Sequence, residues 1–121
     1  MPRFADDLWQ HTCFELFVCD ARSDAYVEFN FSPSGEWAAY AFDAYRAGMR
    51  RIERTPRIEC TRDGAALVLH AVVSAQMIPG TCVGLSAVVE TIDGTVSYWA
   101  LHHACAKPDF HHRDAFALYL S

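Results

Sequence analysis

The sequence lacks several features that would place it in a common class. It has no apolar run long enough to span a bilayer, because His70 interrupts the longest run, at 65–75. Its first eight residues are polar and acidic rather than a basic start before an apolar segment, so we expect no secretory signal and a cytoplasmic location. It also lacks internal repeats and low-complexity segments, so residues 1–121 are expected to form a single soluble domain.

Basic residues are scarce. The chain has 10 Lys and Arg against 15 Asp and Glu, which gives a formal net charge of -5. Nucleic-acid-binding domains usually present a basic face, so this balance argues against a nucleic-acid partner. The absence of an apolar span argues equally against a membrane partner.

The five cysteines do not form a recognisable pattern. Their number is odd, they are scattered through apolar stretches, and no Cys-x-x-Cys pair is present. These features argue against a disulfide framework and against a structural zinc site. We therefore expect buried, reduced thiols in a cytosolic protein.

Alternation of apolar and polar residues dominates the remaining sequence and is typical of half-buried strands. In the segment 12–19, Phe14, Leu16 and Val18 are predicted to face the side opposite Glu15. In the segment 26–31, Phe29 is predicted to face the side opposite Glu28 and Asn30. The following segments also predict strands, except that Glu36–Tyr45 is equally compatible with a helix begun by Ser34, and we favour a strand there because it follows a turn. The predicted strands are 12–19, 26–31, 36–45, 57–60, 65–73, 82–90, 95–102 and 115–120.

Turn residues separate these strands at Ser32–Gly35, Arg62–Gly64, Ile78–Gly80 and Ile92–Gly94. Many short strands without a long amphipathic helix indicate an all-β domain, most simply an antiparallel β-sandwich of jelly-roll type. Trp37 and Trp99 lie within predicted strands, so we expect both to be core residues.

A cluster of histidines and carboxylates near the C-terminal end could bind a divalent metal, because imidazole and carboxylate groups are ligands of transition metals. The candidates are His103, Asp109, His111 and His112. Adjacent histidines point in opposite directions on an extended segment, so such a site needs only one residue of each pair. The alternative is that these histidines lie on the surface and make local hydrogen bonds.

Carboxylates on strands and numerous aromatic residues offer a different chemistry. Glu15 and Glu28 are flanked by apolar residues, and a carboxylate in that position needs a partner, a ligand or a raised pKa. Flat apolar faces of sugars stack on aromatic rings, while their hydroxyl groups bind carboxylates and amides. Trp9 and Phe110 lie outside the predicted strands and are therefore the aromatic residues most available to a ligand.

Two segments resemble the DOMON-like branch of the carbohydrate-binding module family 9 domains. They are Leu8–Phe17, where a Trp precedes a strand carrying Glu and Phe, and Tyr26–Trp37, where a strand ends in Asn, Ser, Pro and Gly. Residues 97–101 and 116–120 fit the C-terminal part of that family. The resemblance implies a β-sandwich that lacks the family's N-terminal strands, and an open sheet edge that could pair with a second copy.

The resemblance also implies a ligand site. In the sugar-binding members two aromatic rings clamp a terminal sugar beside a Glu, and the matching positions here are Trp9, Glu15, Glu28, Asn30 and Phe110. Phe110 departs from the family, which usually has Trp at that position. We expect a non-catalytic module for a saccharide without a cofactor; the alternatives are a metal-dependent enzyme using the loop His102–His112 and an interaction domain without a small ligand.

Overall fold

The computed structural model describes residues 3–74, 79–105 and 107–119. The described residues form ten strands and two short 3-10 turns, so the predicted all-β class is confirmed. The strands are β1 (Arg3–Phe4), β2 (Cys13–Asp20), β3 (Tyr26–Phe31), β4 (Glu36–Phe42), β5 (Arg50–Arg51), β6 (Arg57–Asp63), β7 (Ala66–Val72), β8 (Thr81–Glu90), β9 (Val96–Ala100) and β10 (Leu118–Tyr119). No helix among the described residues is long and apolar enough to cross a membrane.

Eight of these strands form one sheet, whose centre has the order β4-β3-β2-β8. All pairs in this sheet are antiparallel except β1 with β4. The short strands β1 and β5 share the outer edge of β4, and β9 and β10 share the outer edge of β8. The second sheet is the hairpin β6–β7, so the two layers are very unequal in size.

Local sequence accounts for these elements. The turn after β3 contains Gly35 at φ +91°, a conformation that glycine adopts without steric cost, and the Gly35 amide donates to the Ser32 carbonyl at 3.0 Å. This turn sends the chain back along β3, so the ambiguous segment after it is a strand rather than a helix. Asp-Gly turns also close the hairpins β6–β7 and β8–β9, with positive φ at Gly64 and Gly94. Of the predicted turn Ile78–Gly80, Ile78 lies outside the described residues.

The large sheet has two different faces. One, which we call the hairpin face, carries Phe29, Phe31 and Trp37 and packs against Ile58 and Leu69 of the hairpin β6–β7. The other, which we call the site face, carries the alternate residues of the four central strands. Its residues are Cys13, Glu15, Phe17 and Cys19 of β2, Tyr26, Glu28 and Asn30 of β3, Ala38, Tyr40 and Phe42 of β4, and Cys82, Gly84, Ser86 and Val88 of β8. The predicted alternation of β2 and β3 is therefore confirmed.

The segment 107–116 crosses the site face. Its end is anchored by Phe116, which is fully buried and stacks on Phe17 with ring centroids 5.4 Å apart. Gly84 makes room for this ring, since a Cβ at residue 84 would lie 2.7 Å from the Cδ1 atom of Phe116. The predicted strand 115–120 is therefore wrong at its start: Ala115 belongs to a 3-10 turn that directs Phe116 inward, and β10 covers only Leu118–Tyr119, with residue 120 outside the described part.

The expectation for the tryptophans is half right. Trp37 is buried, but Trp99 is 62% exposed. Trp99 pairs with Ala87 across β8 and β9, where the hairpin β6–β7 does not cover the sheet. Alternation alone does not reveal which part of a sheet face receives a covering layer.

The expectation that all thiols are reduced is wrong. Cys19 and Cys82 face each other across β2 and β8 and form a disulfide that links positions 63 residues apart. Cys13, Cys60 and Cys105 are free. Arg113 lies beside the disulfide, with its Nη1 atom 3.4 Å from Cys19 Sγ, and it also donates to the Ser23 carbonyl. The bridge joins β2 to β8, and Arg113 attaches the segment 107–116 to the end of β2.

Candidate functional site

A row of polar side chains crosses the centre of the site face. Glu15 of β2 pairs with Asn30 of β3 on one side and with Ser86 of β8 on the other, and Glu28 of β3 pairs with Tyr40 of β4. Residues paired across adjacent strands point to the same face, so strand register brings these groups together. This register unites Glu15, Glu28 and Asn30, three of the residues predicted to bind a ligand.

Glu15 and Glu28 form a buried acid pair. Their exposed fractions are 6% and 4%, and the two carboxyl groups hydrogen-bond to each other. With its amide oriented so that the nitrogen faces the acids, Asn30, which is 2% exposed, donates to Glu28 Oε2 at 2.9 Å and to Glu15 Oε2 at 3.3 Å. Ser86 donates to Glu15 Oε1 at 3.2 Å. Two carboxyl groups in direct hydrogen-bond contact share a proton, because two carboxylates would repel each other.

Burial dominates the electrostatics of this pair. Burial raises the pKa of Glu28 to about 9, and the hydrogen bond and negative charge of Glu15 add to the effect. Burial also raises the pKa of Glu15, although hydrogen bonds from Glu28 and Ser86 act in the opposite direction. Both shifts favour a proton shared between the two carboxyl groups at neutral pH.

His111 approaches the acid pair from the segment 107–116. The Tyr26 hydroxyl accepts from the Arg46 amide at 3.1 Å and shares a hydrogen bond with His111 Nδ1 at 2.8 Å. The other ring nitrogen of His111, Nε2, lies 3.7 Å from Glu28 Oε1. Burial, reinforced by the charge of Arg46, lowers the pKa of His111 to about 4, so this ring is neutral near pH 7.

The acid pair lies at the bottom of a cavity of about 740 Å³. All five residues that the sequence analysis assigned to a ligand line it: Trp9, Glu15, Glu28, Asn30 and Phe110. The other residues of the wall are Asp6, Asp7, Tyr40, Phe42, Arg46, Met49, Val88, Tyr98, Pro108 and His111. A cavity of this size with an apolar wall and a few converging polar groups is the usual form of a small-molecule site.

Different elements deliver the two aromatic residues predicted to bind ligand. Trp9 lies in the 3-10 turn Leu8–Gln10 before β2, where Leu8 packs against the core and the Trp9 ring stays 55% exposed. Phe110 arrives on the segment 107–116 and contacts Tyr98 of β9, with ring centroids 6.2 Å apart. The two elements thus place aromatic surface around a polar floor.

Ion pairs hold the rim of the cavity together. Asp109 accepts from Arg46 Nη2 at 2.9 Å and from the Tyr45 hydroxyl, which joins the segment 107–116 to the loop after β4. Partial burial opposes ionisation of Asp109, but the hydrogen bonds from Tyr45 and Arg46 outweigh it and lower its pKa. The charge of Arg46 is therefore neutralised at the rim.

The residues proposed as metal ligands are not assembled into a site. Asp109 is bound to Arg46, His111 to Tyr26, and His112 Nδ1 accepts from the Asp114 amide at 3.1 Å. His103 lies against the Phe110 ring, with centroids 6.0 Å apart. Across residues 3–74, 79–105 and 107–119, no three His, Cys, Asp or Glu side chains come together in a way that could hold a metal ion. The histidines make the local contacts of the alternative interpretation.

Arg46, Tyr40 and Ser86 were not predicted from the sequence as site residues. Alternation in β4 does place Tyr40 opposite Trp37, so its face could have been derived from the sequence. Arg46 has φ +51°, an unusual backbone conformation for a residue other than glycine, but this value is known only from the structure. Ser86 required the register between β2 and β8.

Comparisons with known proteins found nothing similar: no family model, no curated protein and no solved structure matches this chain. The similarity to DOMON-like domains therefore stays a prediction.

Proposed function

We propose that this domain is a non-catalytic binding module whose cavity on the site face holds a saccharide. The observation that carries the proposal is that Trp9, Phe110 and the buried acid pair open onto the same cavity. The aromatic rings offer flat apolar surface to the C–H face of a sugar, and the acid pair and Asn30 offer acceptors and donors to its hydroxyl groups.

The spacing of the two acids supports binding rather than catalysis. Hydrolysis of a glycosidic bond commonly needs one protonated acid and one ionised carboxylate on either side of the bond. Glu15 and Glu28 instead bond directly to each other on one wall of the cavity. That arrangement leaves no space for a scissile bond between them and suits a fixed recognition surface.

The disulfide bears on location. Disulfides persist in oxidising compartments and are rare in the cytosol. The bridge between Cys19 and Cys82 therefore favours an oxidising compartment over the cytoplasmic location expected from the sequence.

Pairing with a second copy through an open sheet edge stays a prediction, which size-exclusion chromatography with light scattering would test.

Calorimetric titration with mono- and disaccharides tests the proposed function. Trp9→Ala removes roughly 80 Å² of apolar contact, which corresponds to about 2 kcal/mol and a loss of affinity of about 30-fold. Trp99→Ala is the matched control, because Trp99 is also exposed but does not line the cavity. Absence of heat with every sugar, or equal losses in the two variants, would contradict the proposal.

A further inference from the structure

Among the residues that the structure describes, no Lys or Arg side chain contacts the acid pair at the bottom of the cavity. Glu15 and Glu28 receive hydrogen bonds from the neutral groups of Asn30 and Ser86 and from each other. The charge of Arg46 acts on the pair, but its guanidinium is bound to Asp109 at the rim. The shared proton therefore reduces the negative charge of the buried carboxylates, as a paired Lys or Arg side chain would.

We infer that the cavity prefers an amino sugar, whose ammonium group takes the place of the proton shared by Glu15 and Glu28. This inference rests on the proposed function, since it specifies the class of saccharide. An ammonium group has three donors, and the two carboxylates that it meets would both be ionised acceptors.

The wall of the cavity also suits a cation. Trp9, Tyr98 and Phe110 present aromatic rings, whose faces attract ammonium groups. Asp6 and Asp7 lie at the mouth, and Asp6 already accepts from Tyr40 and Arg51. The cavity thus combines aromatic surface with an excess of acids.

The exchange has a definite proton balance. On this proposal the free pair holds one proton shared by Glu15 and Glu28; a bound ammonium sugar leaves both as carboxylates, and that proton goes to solvent. Binding is then weaker as the pH falls, because the proton competes with the ligand. The titratable and charged groups that face the pair or line its cavity are Asp6, Asp7, Cys13, Tyr26, Tyr40, Arg46, Tyr98, Asp109 and His111.

The test is calorimetry of the full chain with D-glucosamine, D-glucose and N-acetyl-D-glucosamine near pH 7. Each titration is repeated in two buffers of different ionisation enthalpy, so that proton release is measured directly. We expect D-glucosamine to bind about 10-fold more tightly than either neutral sugar, the equivalent of one pKa unit of differential interaction. Only D-glucosamine should release a proton.

One variant and its control test whether the acid pair causes the preference for the amino sugar and the release of the proton. Glu28→Gln removes the exchangeable proton, so proton release should vanish and the ratio of D-glucosamine to D-glucose affinity should fall toward one. Glu59→Gln is the matched control, because Glu59 is an exposed residue of β6, in the hairpin that packs on the opposite face of the sheet. It should keep both the ratio and the proton release.

The outcomes separate the two proposals. Equal affinity for the three sugars, or binding of D-glucosamine without proton release, would overturn the preference for an amino sugar and leave a neutral-sugar site standing. Absence of binding by all three sugars and by the disaccharides above would overturn the proposed function itself. The measurements on the unmodified protein decide between these results even where Glu28→Gln does not fold.

Discussion

The buried acid pair should make the stability of the fold depend on pH in a way that one substitution removes. Glu28 has a pKa of about 9 in the folded protein and an ordinary value of 4.5. Between these values the folded state holds a proton that the unfolded chain has lost, so stability falls as the pH rises. At pH 7 to 8 the difference is close to one full proton, which corresponds to about 1.4 kcal/mol per pH unit.

His111 acts in the opposite sense at lower pH. Its pKa is lowered to about 4 from an ordinary 6.5, so the unfolded chain binds more protons between these values and stability rises with pH there. The contributions of His111 and Glu28 oppose each other below pH 6.5, and above that value Glu28 acts without this opposition. The interval from pH 6.5 to 9 is therefore the one in which to measure the acid pair.

Urea denaturation of the unmodified protein, Glu28→Gln and Glu59→Gln at pH 6.5, 7, 7.5 and 8 tests this prediction. Glutamine has nearly the shape of a protonated glutamate but does not ionise, so Glu28→Gln should become more stable relative to the unmodified protein by about 1.4 kcal/mol for each pH unit. Glu59→Gln should follow the unmodified protein. A constant difference between Glu28→Gln and the unmodified protein across this range would refute the shared proton.

The remaining predictions concern the packing of the segment 107–116 on the sheet and the disulfide between β2 and β8. Gly84→Ala should destabilise the fold by about 1–3 kcal/mol, because the added Cβ would meet Phe116 at 2.7 Å and the Ala115 carbonyl at 3.3 Å; urea denaturation measures this loss, and an unchanged midpoint would contradict the packing. Replacing both Cys19 and Cys82 by Ser should cost roughly 4 kcal/mol, since the disulfide closes a loop of 63 residues. Mass spectrometry of the unreduced protein should find the peptides of Cys19 and Cys82 linked, and a pairing with another cysteine would contradict the register of β2 and β8.

Strand content and facing were predictable from the sequence, because alternation in segments such as Tyr26–Phe31 has a simple physical cause. The two faces of a buried strand demand different side chains, and Glu28 and Asn30 were correctly separated from Phe29. The pairing of Glu15 with Asn30 was not predictable, since register depends on several strands at once.

The errors have related causes. Cys19 and Cys82 are far apart in the chain, and only the alignment of β2 with β8 makes them neighbours. Trp99 was expected in the core because its strand alternates, but the hairpin β6–β7 covers a different part of the sheet. In both cases the missing information was which elements pack together. The position of Phe110 in the cavity likewise depends on which elements pack together.

The three tryptophans provide the most direct test of the saccharide site, because each indole N–H gives a separate NMR signal. Trp9 lines the cavity, Trp37 is buried under the opposite face, and Trp99 is exposed away from the cavity. When the ¹⁵N-labelled protein is titrated with a saccharide that it binds, the Trp9 signal should shift and the signals of Trp37 and Trp99 should stay in place. A Trp9 signal that stays fixed while the ligand binds, or a shift confined to Trp99, would show that the ligand is held elsewhere.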